Sequence, residues 1–265
     1  MAGLTLQDLP PTARAAWSDL RDRLRSALGE DLVAMWAHGG TTSVADPAHA
    51  GDLDTYVLVR RRPDEATIRR IELAHDATAR EHGVEWDAWY VLADDARGSE
   101  PPDHAWRERC RDTTWAIHRA HWLAGRYVNL HGADPDGVVV APAWDELLGE
   151  LDREIEHLER HVVEGDTDPY EATYALLTGS RILRALETRD VVISKRAAGT
   201  WALEHLPVRW HPALGAAVRT YDGQWTPADA DLLAADMAPF VAFVRQHLAS
   251  TNARSPGDLP RWSGF

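Results

Sequence analysis

Two aspartates separated by one residue, Asp52-Leu53-Asp54, follow the triplet His38-Gly39-Gly40 across an eleven-residue loop and open an apolar run, Leu53 to Arg60 (LDTYVLVR). Side chains alternate faces along a strand, so residues two apart share a face and the two carboxylates are held side by side. Paired carboxylates repel unless a cation sits between them. Hard oxygen donors at a strand start suit Mg²⁺, which keeps water and substrate phosphate oxygens as its other ligands. A glycine pair lets backbone come close to phosphate oxygens. Gly39, Gly40, Asp52 and Asp54 together describe a site for Mg²⁺ and a nucleoside triphosphate.

A second signal is compositional. Of 28 basic residues 27 are arginine, and Lys195 is the only lysine. One reading is that a single lysine survived a general replacement by arginine. The other is that position 195 needs a compact ammonium that a planar guanidinium does not mimic. Composition alone leaves both open.

The elements that must position these residues follow from periodicity. Leu20, Leu24 and Leu28 recur at helical spacing within Thr12 to Gly29. Strand-like runs follow at Asp31 to His38, Leu53 to Arg60 and Val84 to Leu92, with a helix over Pro63 to His82 stopped by Gly83. Ala105 to Leu123 reads as a helix or connecting arm, and Gly132 to Pro142 closes the first half. From Trp144 the pattern is helical: Leu147, Leu151, Ile155, Leu158 and Val162 form a stripe, followed by helices over Tyr170 to Thr188, Ser194 to His205 and Thr226 to Ala249. These elements predict an α+β chain: an N-terminal domain at 1–143 with a mixed β-sheet and helices, a C-terminal all-α helical bundle at 144–249, and a disordered tail at 250–265.

Length and charge narrow the function. A chain of 265 residues, 45% hydrophobic, has material for real cores. A net charge of −14 repels nucleic acid and anionic lipid, and a small basic ligand or plain solubility fits it better. No apolar stretch approaches the roughly 20 residues that cross a bilayer, and Met1 to Leu9 lacks a basic start followed by an apolar core. A soluble, cytoplasmic monomer is expected. Cys110, the only cysteine, has no partner for an internal disulfide. His157 and His161 lie one helical turn apart, but no third-ligand motif accompanies them, so a satisfied helix surface is the expected reading.

The Gly-Gly turn, loop and paired acidic motif resemble the signature of the nucleotidyltransferase superfamily. That resemblance implies a third carboxylate on a neighbouring strand. Val84 to Leu92 offers Glu85 and Asp87 on one face. Asp87 is the choice, because Asp87 to Asp95 (DAWYVLADD) resembles the strand of streptomycin/spectinomycin adenylyltransferases that begins with their catalytic glutamate. Here an aspartate, shorter by one methylene, stands in that place, and Glu85 is the fallback.

The likeness continues over Ser180 to Pro207 (SRILRALETRDVVISKRAAGTWALEHLP), which looks like the C-terminal helical domain of the same enzymes. It implies that Arg181 and Lys195 bind the nucleotide's phosphates, and that tryptophan and acidic side chains receive a cationic aminocyclitol. The residues matched for that purpose are Trp106 and Glu171; Val162 and Thr167 stand where the family has a tryptophan and an aspartate, and Asp168, beside Thr167, is offered in the latter's place. The implied reaction is Mg²⁺-dependent transfer of AMP from ATP to an aminoglycoside hydroxyl, with Asp52, Asp54 and Asp87 holding metal and Asp87 as base. Two alternatives are a different hydroxyl acceptor, such as a natural-product precursor or a protein, and a non-catalytic nucleotide-binding relative.

Overall fold

A computed structural model describes residues 4–39, 52–165 and 168–252, the side chains of residues 52, 53 and 252 excepted. Gly40 and the loop up to Gly51, Thr167, and residues from 253 onward lie outside the described residues; of the tail expected to be disordered over 250–265, residues 250–252 are helical instead. The chain divides into two compact units, Met1–Ala143 and Trp144–Phe265. Among the described residues, no helix is long and apolar enough to cross a membrane.

The first unit is a mixed four-stranded sheet with helices on its two faces. Its elements are α1 (Pro11–Leu28), β1 (Leu32–Ala37), β2 (Asp52–Val59), α2 (Glu65–His82), β3 (Glu85–Leu92), α3 (Trp115–Leu123) and β4 (Val128–Gly132). Strand order is β3-β2-β1-β4. β1 runs antiparallel to β2 and β4, and β2 runs parallel to β3. Parallel neighbours need a crossover, and α2 supplies it. α2 starts where Asp64 accepts the backbone N–H of Thr67 and stops at Gly83, in left-handed backbone with φ of 64°.

The alternation read from sequence decides which side chain faces which helix layer. Val57, Val59, Met35 and Tyr90 pack with Trp17, Leu20 and Leu24 of α1 and Ile71 of α2. Burying each of those leucines contributes about 2 kcal/mol. The opposite face carries Ala34, Trp36, Tyr56, Leu58 and Val91, packed with Trp115 and Trp122 of α3. The indole N–H of Trp17 donates to Thr55 Oγ1 at 3.3 Å, which fixes Thr55 toward α1 and therefore its neighbours Asp54 and Tyr56 toward the α3 side.

One strand of this unit departs from the sequence expectation. β4 is absent from the sequence expectation: Val128 and Leu130 alternate with Asn129 and His131, but over a run too short to stand out, yet it completes the sheet beside β1. Ala105 to Leu123, left open between helix and connecting arm, divides into both: Ala105 to Thr114 is the arm. It is held by the Asp103–Arg111 bridge and by Ala105 N–H donating to Tyr90 O at 2.7 Å, so α3 begins only at Trp115.

The second unit consists of α4 (Trp144–Glu164), α5 (Pro169–Thr188), α6 (Lys195–His205), α7 (His211–Tyr221) and α8 (Pro227–Asn252). α7, with Pro212 near its start and Gly215 within it, is absent from the sequence expectation. Pro212 sits in the first turn, where a missing N–H costs nothing. α5 is the central helix, with Ala175, Leu176, Gly179, Ile182 and Leu183 all buried. A Cβ on Gly179 would lie 2.8 Å from Phe240, so glycine sets how closely α8 approaches.

Candidate active site

β1 and β2 converge on the turn. The N–H of His38 donates to the backbone oxygen of Asp54 at 2.9 Å, extending the ladder one residue past Ala37. Gly39 then adopts φ of 80°. A Cβ built there would fall 1.7 Å from Asp54 Oδ2, so the carboxylate lies in the space that any other residue's side chain would fill. The glycine and the second aspartate of the motif are thus one packed unit.

The parallel ladder brings the third carboxylate. Asp54 stands in register with Asp87, and Asp52 with Glu85. Register partners on parallel strands leave the sheet on the same face, about 4.8 Å apart. Asp87 is exposed and open to a substrate, and Glu85, also exposed, lies two residues nearer the strand start. Two carboxylates at this spacing favour a small hard cation between or in front of them. The donor set fits Mg²⁺: oxygen ligands only, few protein ligands, and a neighbouring glycine with no side chain to block further ligands. Among the described residues, the one group of three carboxylate or imidazole ligands within 4.8 Å of one another is Asp19, Glu81 and His82, between α1 and α2. There Arg23 already bonds both acids, at 2.8 Å and 2.7 Å.

Behind the carboxylates lies a polar network that the sequence reading missed. Tyr56 donates its hydroxyl to Asp112 Oδ2 at 2.8 Å, and Asp112 Oδ1 accepts the backbone N–H of Thr114 at 2.8 Å. His118 Nδ1 lies 3.4 Å from the same carboxylate. Burial pushes the Asp112 carboxyl up, but the charge and hydrogen bond of His118 and the other bonds outweigh it and hold it well below the usual carboxylate range. The His38 ring meets His118 edge-on at 4.8 Å; burial first, then the charge of His118, keeps His38 neutral. The one local signal was Asp112-Thr113-Thr114, a capping pattern ahead of α3.

In the second unit, Ser194 accepts the N–H of Ala197 at 3.2 Å and caps α6, which places Lys195 as its first residue. The Lys195 ammonium sits 4.3 Å from the centre of the Tyr174 ring. Tyr174 donates its hydroxyl to Glu154 Oε1 at 2.6 Å. Arg181 lies on α5, two turns beyond Tyr174. Burial lowers its guanidinium pKa, opposed by the charges of Glu154, Tyr174 and Tyr221. Arg181 and Lys195 therefore share one neighbourhood around Tyr174 and Glu154. Glu171, one turn before Tyr174, is on the same face of α5, with Oε2 3.6 Å from His161 Nδ1.

Other sequence candidates fall elsewhere. Asp168 is the N-cap of α5, its Oδ1 accepting from Tyr170 N–H at 2.7 Å and Glu171 N–H at 3.0 Å. Trp106 packs on Tyr90 and His104, each at 4.6 Å between ring centres, on the face of the sheet that carries α1 and α2. Asp54 and Asp87 leave from the other face, so the structure does not bring Trp106 to them. His157 and His161 pack ring on ring at 4.5 Å.

Comparison with known proteins agrees with this layout. Residues 144–247 match the model of the aminoglycoside adenylyltransferase C-terminal domain. No curated protein matches the sequence. Among solved structures, the spectinomycin adenyltransferase from Enterococcus faecialis, crystallised with ATP and spectinomycin, matches with a TM-score of 0.67 and 14% identity, over 89% of this chain and 98% of that one. The chain thus has the fold of the spectinomycin adenyltransferase, and its second half carries the sequence pattern of the aminoglycoside adenylyltransferase C-terminal domain.

Proposed function

We propose that the protein is an adenylyltransferase that moves AMP from ATP to a hydroxyl of a cationic aminocyclitol and releases pyrophosphate. The register of Asp54 with Asp87 carries the reading, because it sets two carboxylates side by side at an open strand start beside a glycine. Asp52, Asp54 and Asp87 would hold Mg²⁺, which neutralises polyphosphate charge when bound. Asp87 accepts the proton of the acceptor hydroxyl, and that oxygen bonds to the α-phosphorus as the bond to the pyrophosphate oxygen breaks. Gly39 and Gly40 give the phosphates access to backbone. Arg181 and Lys195 bind phosphate oxygens and stabilise the charge on the leaving group. Glu171 and Asp168 are the acids offered to the acceptor's ammonium groups. A cytoplasmic, monomeric enzyme, served by the cell's ATP and without nucleic-acid or membrane partners, completes the reading.

The position of Trp106 on the opposite face favours one second reading, the same chemistry on a different hydroxyl acceptor. The test is transfer of label from α-³²P-ATP with Mg²⁺ across a panel of aminoglycosides and aminocyclitols. Labelled product with an aminocyclitol is expected. Transfer to none of them rejects the antibiotic acceptor, and MgATP binding with no transfer to any hydroxyl rejects the enzyme.

A further inference from the structure

The ammonium of Lys195 rests over an aromatic face, an arrangement that the role of phosphate ligand does not itself require. Lys195 begins α6, Tyr174 lies in α5 and Glu154 in α4, so three helices meet at this point. The Tyr174 hydroxyl is spent on Glu154 at 2.6 Å, which fixes the ring and keeps its face toward Lys195. Glu154 also acts on Arg181, favouring its charged form against the cost of burial. A flexible four-carbon stem ordinarily leaves an ammonium many positions to occupy. A fixed aromatic face at 4.3 Å narrows them before any ligand arrives.

We propose that Tyr174, itself anchored by Glu154, is a positioning residue that holds the Lys195 ammonium in place for the polyphosphate of the nucleotide. This rests on the nucleotide-binding reading above. It also explains why the one lysine of the chain is not an arginine. A guanidinium would lie flat on the ring as a plate, whereas an ammonium stands on it as a point charge with N–H groups directed away. Tyr174→Phe keeps the face and loses the anchor; Tyr174→Leu loses both.

Because Lys195 is the only lysine, reductive methylation with ¹³C-formaldehyde labels it alone besides the N-terminal amine, and the dimethyl product keeps its charge. The N-terminal signal is recognised by its lower pKa, near 8. Methyl groups above a ring face resonate upfield, so the wild-type Lys195 signal is expected upfield of a free dimethyl-lysine. It should stay displaced in Tyr174→Phe and return to the free position in Tyr174→Leu. In parallel, the Kd for MgATP of the unmethylated full chain should rise about five- to tenfold in Tyr174→Leu and less in Tyr174→Phe. An undisplaced signal in the wild type overturns the proposal without any variant having to fold, as does wild-type affinity for MgATP in a folded Tyr174→Leu. A displaced signal in a wild-type chain that binds no MgATP overturns the nucleotide reading and the role given to Tyr174, while leaving the contact itself demonstrated.

Discussion

Gly39 and Asp54 occupy one another's space: the carboxylate of Asp54 lies 1.7 Å from where a Cβ of residue 39 would be. Gly39→Ala must therefore displace the carboxylate, and it adds the strain of a side chain at φ of 80°. The strain alone costs about 1 kcal/mol. Displacement of a ligand carboxylate by an ångström lowers catalysis on the order of 100-fold. The variant is expected to melt slightly lower and to need far more Mg²⁺ for half-maximal transfer, which a metal titration of the rate measures.

Asp87 and Glu85 separate by register. Asp87 partners Asp54, and Glu85 partners Asp52, two residues nearer the start of β3. Asp87→Asn is expected to lower kcat by about 10² to 10⁴ with MgATP affinity changed far less, as for loss of a general base. Glu85→Gln should stay within about fivefold of wild type. Equal losses in the two variants, in the same steady-state assay, would contradict the assignment.

Asp168 has a structural duty independent of any acceptor, since one oxygen accepts two N–H groups at the start of α5. Asp168→Ala should cost about 1 kcal/mol of stability, seen as a fall of a few degrees in Tm. Asp168→Asn keeps the cap and the Tm. A rise in KM for a cationic acceptor in Asp168→Asn then isolates the contribution of the carboxylate's charge.

One buried histidine, His104, and two half-buried ones, His38 and His75, are expected to set the acid limit of stability. Burial, assisted by the charge of Arg107, holds His75 and His104 down to about 4, and burial holds His38 well below its ordinary 6.5. Between those values the unfolded chain binds protons that the folded chain does not, so their contribution is complete above about pH 6.5 and is lost as pH falls toward 4. His104, 3% exposed, contributes at most about 3 kcal/mol over that window. Asp112, held low, withdraws its contribution only at still lower pH, below the ordinary carboxylate range. Tm should be flat from about pH 8 to 6.5 and fall steeply below, and His104→Ala should lower the plateau while reducing the slope.

What the sequence made legible was whatever local spacing encodes. β1, β2 and β3 announced themselves as apolar runs, and α2 by its stop at Gly83. The pairing of Asp54 with Asp87 was implied by a resemblance, and β-sheet register realises it. β4 stayed hidden because its alternation, Val128 and Leu130 against Asn129 and His131, spans too few residues to stand out, and α7 is a short helix with Pro212 in its first turn and Gly215 within it. Tyr56 is distant in sequence from Asp112 and His118 and meets them only through tertiary packing, as Lys195, Tyr174 and Glu154 meet one another. Trp106 was matched by position along the chain, which carries no information about how the arm before α3 wraps the edge of β3.

The ladder between β2 and β3 is graded from end to end. Tyr90 and Val91 are buried at one end, and Glu85 and Asp87 stand exposed at the other, opposite Asp52 and Asp54. Like charges directly across a ladder oppose pairing, whereas apolar partners reinforce it. The ladder is therefore expected to be firmest at Leu58 and Val91 and to fray first at the acids. Amide hydrogen exchange should be slowest at Val91 and accelerate toward Glu85, and MgATP should slow the fast end alone. On the proposed reading, the rungs that a bound cation would clamp are the weakest of this ladder, so ligand binding would tighten the sheet where its own pairing is least.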